Sequence, residues 1–170
     1  MNHFAFRKTK LIFAFLFSLG IYASAQNPEL VVNTWHSESI YDIAFHPSSE
    51  IFASCGLDKS IIIWDYRSGR KLRTLLGHSN VVNTISFSPE GKYLASGGGE
   101  YGQDNTIRIW NPQNGELIKE ISSKASDGIC LLRFTQNSNN LFIYTGGYCR
   151  VIDIFSGKTI SNAEIYTSRL

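Results

Sequence analysis

Short runs of alternating apolar and polar residues, each closed by turn residues, fill the chain from Glu29 onward. Ser39–Phe45 (SIYDIAF) is matched by Val81–Phe87 (VVNTISF), and Ile51–Cys55 (IFASC) by Tyr93–Gly97 (YLASG). Ile61–Asp65 (IIIWD) is matched by Ile107–Asn111 (IRIWN), and Lys71–Leu75 (KLRTL) by Glu116–Ile121 (ELIKEI). These runs are rich in β-branched and aromatic residues and have a period of two, which predicts strands. Between them stand HPSSE, SPEGK, GLDKS, YRSGR and PQNGE. Pro, Asn, Asp, Ser and Gly supply the backbone angles that tight turns need. No stretch beyond the first 25 residues shows a helical period.

The runs repeat. His36 and His78 lie 42 positions apart, and so do Phe45 and Phe87, Pro47 and Pro89, and Ser54 and Ser96. Trp64 and Trp110 lie 46 apart, because GGGEYGQDN between Gly97 and Asn105 inserts extra residues. An insertion with the register kept on both sides is what a surface loop tolerates. One period therefore predicts four short antiparallel strands. A single such sheet cannot bury both faces, and stacking sheet on sheet is the solution. Glu29–His36 (ELVVNTWH) aligns with the last strand of a period, Lys71–His78 (KLRTLLGH).

The words GH at Gly77–His78, FSPEGKYLASGG at Phe87–Gly98, DNTIRIWN at Asp104–Asn111 and LDKSIIIWD at Leu57–Asp65 carry a family resemblance. The sequence resembles WD-repeat β-propellers over Glu29–Lys158. The expected fold is all-β: propeller blades of four antiparallel strands, in an incomplete propeller of about three blades. The expected divisions are a leading outer strand at 29–35, blade one at 36–77, blade two at 78–122 and a degenerate blade three at 125–162, within a segment 26–170. Rings of this type close with roughly 4–8 blades. Three blades therefore imply the front of a longer protein, self-association that completes the ring, or a union with blades of a different chain.

His36, Ser54, Asp58 and Trp64, and again His78, Ser96, Asp104 and Trp110, imitate a hydrolase constellation. Two copies at the repeat spacing, with no G-x-S-x-G word around either Ser, argue for a structural role. The resemblance implies a hydrogen-bond chain from indole to hydroxyl to imidazole to carboxylate. In the third unit, Phe134 and Gly157 set the register, and the four positions fall on Ala125, Ile143, Gly146 and Ile152. All four polar partners are replaced together. An apolar replacement of a whole network can be nearly neutral, whereas a half-satisfied one is costly. The third unit is therefore still expected to form a blade.

The first 25 residues read differently. Arg7, Lys8 and Lys10 precede the apolar run Leu11–Ala23, and Ala23–Ala25 (ASA) ends it. That order predicts a secretory signal peptide at 1–25, cleaved before Gln26. The run is shorter than the roughly 20 residues of a spanning helix, so no stable membrane insertion is expected after cleavage. The expected location is periplasmic or extracellular. Without this segment 13 Lys and Arg face 14 Asp and Glu, so the net charge is −1 instead of +2. No basic stripe remains for nucleic acid.

Cys55, Cys130 and Cys149 lie in strand-like contexts and read as small buried residues. They have no C-x-x-C spacing, and GGGEYGQDN lacks both the phosphate-loop ending and the calcium-loop spacing. No catalytic residue, metal site or cofactor is expected. His46, before Pro47, reads as an exposed turn residue. The resemblance implies a non-catalytic protein-interaction scaffold with protein partners. The partner surface would lie on the strand-connecting loops: Glu38, Ser39, Leu57, Glu100, Tyr101 and Gln103. The rival reading is the N-terminal regulatory or targeting propeller of a longer secreted enzyme, protease- or kinase-like.

Overall fold

A computed structural model of the chain describes residues 35–100, 103–123 and 128–164. Residues 1–25, expected as a signal peptide, and 29–34 of the expected leading strand lie outside the described residues, as do Tyr101 and Ala125.

The described residues contain twelve strands and no helix. The first sheet is β1 (Ile40–Phe45), β2 (Ile51–Gly56), β3 (Ile61–Asp65) and β4 (Lys71–Leu75). The second is β5 (Val82–Phe87), β6 (Leu94–Gly98), β7 (Thr106–Trp110) and β8 (Leu117–Ser122). The third is β9 (Leu131–Phe134), β10 (Asn140–Thr145), β11 (Tyr148–Asp153) and β12 (Thr159–Glu164). Each is a four-stranded antiparallel meander in chain order. The third sheet is thus complete despite its altered sequence.

Two cores hold the three sheets together, one at each sheet-to-sheet junction. Ala53, Cys55, Ile61, Ile63 and Leu75 of the first sheet pack against Val82, Ile85, Phe87, Leu94 and Trp110 of the second. Ala95, Ile107, Ile109 and Ile121 of the second pack against Ile129, Leu132, Leu141, Ile143, Ile152 and Ile154 of the third. The period-2 pattern explains this division. Alternate residues of one strand face opposite sheets, so β6 and β7 feed both cores, through Leu94 and Ala95 and through Trp110 and Ile109. A fully buried Ile or Leu contributes about 1.5–3 kcal/mol.

Close approach of the sheets demands small residues on the second strand of a blade. A side chain at Gly97 would come within 2.7 Å of Leu132 and 2.8 Å of Ile129. The corresponding place in the first sheet is Cys55, fully buried, where desolvation pushes the thiol pKa well up and keeps it protonated.

A polar staple runs along the first strands of all three blades. The Asp42 carboxylate accepts hydrogen bonds from the Thr84 hydroxyl and the Ile85 amide, each at 3.0 Å. Thr84 in turn accepts from the Leu132 amide (3.4 Å) and from Arg133 Nη1 (3.2 Å). Asp42 and Thr84 lie one repeat apart, so a hydrogen-bonding group at this position reaches the backbone of the next blade.

Two expectations are corrected. Cys130 is exposed, unlike the buried Cys55 and Cys149, because it sits before β9 starts. His46 is half-buried instead of exposed. Its ring meets Phe87 edge-on, with centroids 5.1 Å apart, and its Nε2 lies 3.1 Å from the Gly91 carbonyl. The turn therefore ties the first blade to the second.

Candidate functional site

The turn after β2 places Asp58, and β2 and β3 place Ser54 and Trp64 on one face. There the Trp64 indole N–H donates to Ser54 Oγ at 2.8 Å, and Ser54 Oγ lies 2.7 Å from His36 Nε2. His36 Nδ1 donates to the Asp58 carboxylate at 2.9 Å. The second blade repeats the chain: Trp110 to Ser96 at 2.9 Å, Ser96 to His78 Nε2 at 2.8 Å, and His78 Nδ1 to Asp104 at 3.3 Å.

Both carboxylates do more than orient a ring. Asp58 accepts from the Ser37 amide (3.1 Å) and from the Ser60 amide and hydroxyl (3.1 and 2.8 Å). Asp104 accepts from the Ser79 and Asn80 amides and from the Thr106 hydroxyl. Burial raises the pKa of each Asp, but these hydrogen bonds outweigh it and hold both below the ordinary carboxylate value. Ser60 and Thr106 are members of the network that the sequence reading missed. Their signal was present as a hydroxyl residue two places after each Asp.

A Ser–His–Asp set that performs acyl transfer needs a reachable Ser oxygen. Ser54 and Ser96 are 1% and 0% exposed, and each Oγ already accepts an indole N–H. A substrate carbonyl has no line of approach. The arrangement instead binds the residues before the first strand, the β2–β3 or β6–β7 loop and the third strand into one unit. Among the described residues, no group of three or more His, Cys, Asp and Glu could hold a metal ion.

Burial, and then the Arg108 guanidinium, push the His78 pKa down to about 4. At neutral pH its Nδ1 carries the proton, because Asp104 can only accept, and Nε2 accepts from the Ser96 hydroxyl. The folded pKa lies below the unfolded value of about 6.5. The unfolded chain therefore takes up the proton first as pH falls. Stability from this residue is complete above pH 6.5 and is lost down to about pH 4, on the order of 3 kcal/mol. Asp58 and Asp104 add losses only below the ordinary carboxylate range. Denaturant midpoints at pH 7, 5.5 and 4.5 should fall steadily. A flat profile between pH 7 and 4.5 would show that His78 is not buried neutral.

The second blade has one further charge. Arg108, buried, donates through Nε and Nη2 to Glu120 at 2.9 Å, and its Nη1 lies 3.7 Å from Asp104. Its register partner across β7 and β8 is Glu120. In the first blade Ile62 fills this place, paired with Thr74.

The third blade has no polar chain. Ile143 and Ile152 fill the Ser and Trp places, both buried in the core with the second sheet. In place of the Asp-bearing loop stands the two-residue turn Gly146–Gly147, with φ of 45° and 102°. Two consecutive positive φ values define a turn that favours glycine and leaves no room for the carboxylate.

Of the expected partner-surface residues, Glu38 and Ser39 precede β1, Leu57 lies in the β2–β3 turn, and Glu100 and Gln103 lie in the equivalent β6–β7 loop. Leu57 donates its amide to the Ser39 carbonyl at 2.9 Å, and Gly99 donates to Val81 in the same way at 2.9 Å. Leu57 and Glu100 thus lie at the same end of neighbouring blades. Glu38, Ser39, Leu57, Glu100 and Gln103 are exposed. Gln103 Oε1 accepts from the Asn80 side-chain Nδ2 at 3.1 Å, and its backbone bridges to Glu100.

The WD domain, G-beta repeat family matches residues 29–65 and 69–111. Coronin-7 of Mus musculus is 34% identical over 140 residues, which is 82% of this chain and 14% of that protein. The nuclear distribution protein nudF of Aspergillus terreus is 39% identical over 94 residues, 55% of this chain and 20% of that protein. The chain thus spans no more than about a fifth of these relatives. The crystal structure of the RRP9 WD40 repeats superposes with a TM-score of 0.70 at 26% identity, over 78% of this chain and 41% of that one. Residues 29–65 and 69–111 match the WD, G-beta repeat, and the three sheets have the fold of WD-repeat propeller blades.

Proposed function

We propose that this chain is a non-catalytic protein-interaction scaffold, exported after removal of residues 1–25, whose three blades form part of a larger propeller. One observation carries the reading. Ile85 and Phe87 of the second blade are 1% and 8% exposed beneath the first blade, while their equivalents Ile43 and Phe45 are 51% and 68% exposed. The first blade thus presents the same apolar face that its neighbour buries, with Tyr41 and Ile40 beside it. A patch of this kind marks an interaction site on a soluble protein. The family resemblance supports protein partners, with the loops around Leu57 and Glu100 as the contact surface. The basic, apolar and small-residue order of residues 7–25 supports export.

The test is the mass of the protein from its native source, by intact mass spectrometry and by light scattering. The expected result is a chain that begins at Gln26 and a particle larger than one copy of residues 26–170. Phe45→Asp, a change at an exposed position, should shift the particle toward the smaller species. An N-terminus at Met1 would overturn export. A stable single copy of 26–170 would overturn the larger propeller.

A further inference from the structure

A cleft of about 400 Å³ opens between the second and third blades, where the third blade has lost its polar set. Its floor is Ile107 and Ile121 of the second blade and Ile143 and Ile152 of the third. Arg150, Lys158 and Thr159 line it as well. The origin of the space is steric. Trp64 and Trp110 fill this register position in the other two blades, and Ile152 is much smaller.

The second observation is electrostatic and comes from the repeat itself. Arg150 occupies the place of Arg108: each pairs across the second and third strands with the Ser-position residue, Ile143 and Ser96 respectively. Arg108 is neutralised by Glu120, its partner on the fourth strand, and by Asp104 in the preceding loop. The corresponding residues of the third blade are Asn162 and Gly146. Both acids are gone and the guanidinium remains. Among the described residues, neither Arg150 nor Lys158 joins a salt bridge.

From the cleft and the missing counter-charges together, we infer that this site binds a small aliphatic carboxylate. The apolar chain lies on the isoleucines and the carboxylate meets Arg150 and Lys158. A guanidinium offers a planar pair of donors that matches a carboxylate. An apolar cleft with a few convergent polar groups is the usual form of a small-molecule site. The inference stands apart from the scaffold role.

Octanoate titrated into the purified full chain, followed by calorimetry, tests it, with 1-octanol as the uncharged control. Octanoate should bind saturably, and octanol at least 10-fold more weakly. Arg150→Gln, at a half-buried place where the first blade carries Ile62, should weaken octanoate at least 10-fold. Ile152→Trp should refill the cleft as Trp110 does and abolish binding. Should Ile152→Trp fail to fold, Lys158→Gln on the exposed rim replaces it and should weaken octanoate several-fold. No saturable octanoate binding, equal affinity for octanol, or full affinity in Arg150→Gln would each overturn the site.

Discussion

Asp104→Ala should destabilise the chain by about 3–5 kcal/mol, the range for breaking a buried charge network from one side. The carboxylate accepts from the Ser79 and Asn80 amides, the Thr106 hydroxyl and His78 Nδ1. Each donor left unsatisfied in a buried place costs about 1–3 kcal/mol. The loss also removes the buried counter-charge of Arg108, whose remaining partner Glu120 is half-exposed. Asp58→Ala should cost less. Its loop has similar donors, but Ile62 stands where the second blade has Arg108. Urea unfolding of the two variants beside the parent separates the contributions. Equal losses would mean that Arg108 does not depend on Asp104.

Trp110→Ala should cost a similar amount, about 3–5 kcal/mol. The indole is 3% exposed and lies in the core between the first and second blades, so truncation leaves a cavity between two sheets. It also removes the N–H that Ser96 Oγ accepts. The third blade shows how the place can be filled without these groups. Replacing Trp110, Ser96, His78 and Asp104 together by apolar residues should cost less than the summed single changes, because these four no longer leave one another unpaired and only the other partners of Asp104 stay without an acceptor. Denaturation of the singles and the quadruple variant measures this difference. A quadruple loss equal to the sum would refute the view that the third blade underwent a coordinated replacement.

Much of this architecture was legible because it repeats. Alternation placed the strands, and the 42-residue spacing of His36 and His78 brought two polar sets into one frame. The third blade was readable from Phe134 and Gly157 even after every polar marker had gone, since hydrophobic periodicity survives the exchange of Trp for Ile. Other features were not legible. Asp42 and Thr84 differ in type, so their shared role in the staple showed only when the amides of Ile85 and Leu132 came within reach. His46 looked like a turn residue, and only the neighbouring blade's Phe87 and Gly91 make it a contact residue. Cys130 sat in a strand-like sequence, yet the strand begins one residue later and leaves it exposed.

The sequence by itself determined the number of sheets, the strand order within each and the repeat positions of the His, Ser, Asp and Trp sets. These depend on local periodicity and on register, and both are written along the chain. Tertiary structure decided which faces are covered. Ile43 and Ile85 are the same residue in the same repeat position, and only stacking makes one exposed and the other buried. It also decided what Arg108 and Arg150 are. One is neutralised by a cross-strand Glu and a loop Asp, and the other faces a cleft without either. The compensation of Arg108 arises within its own sheet and loop, whereas the cleft volume arises between two sheets, and no period along the chain encodes that volume.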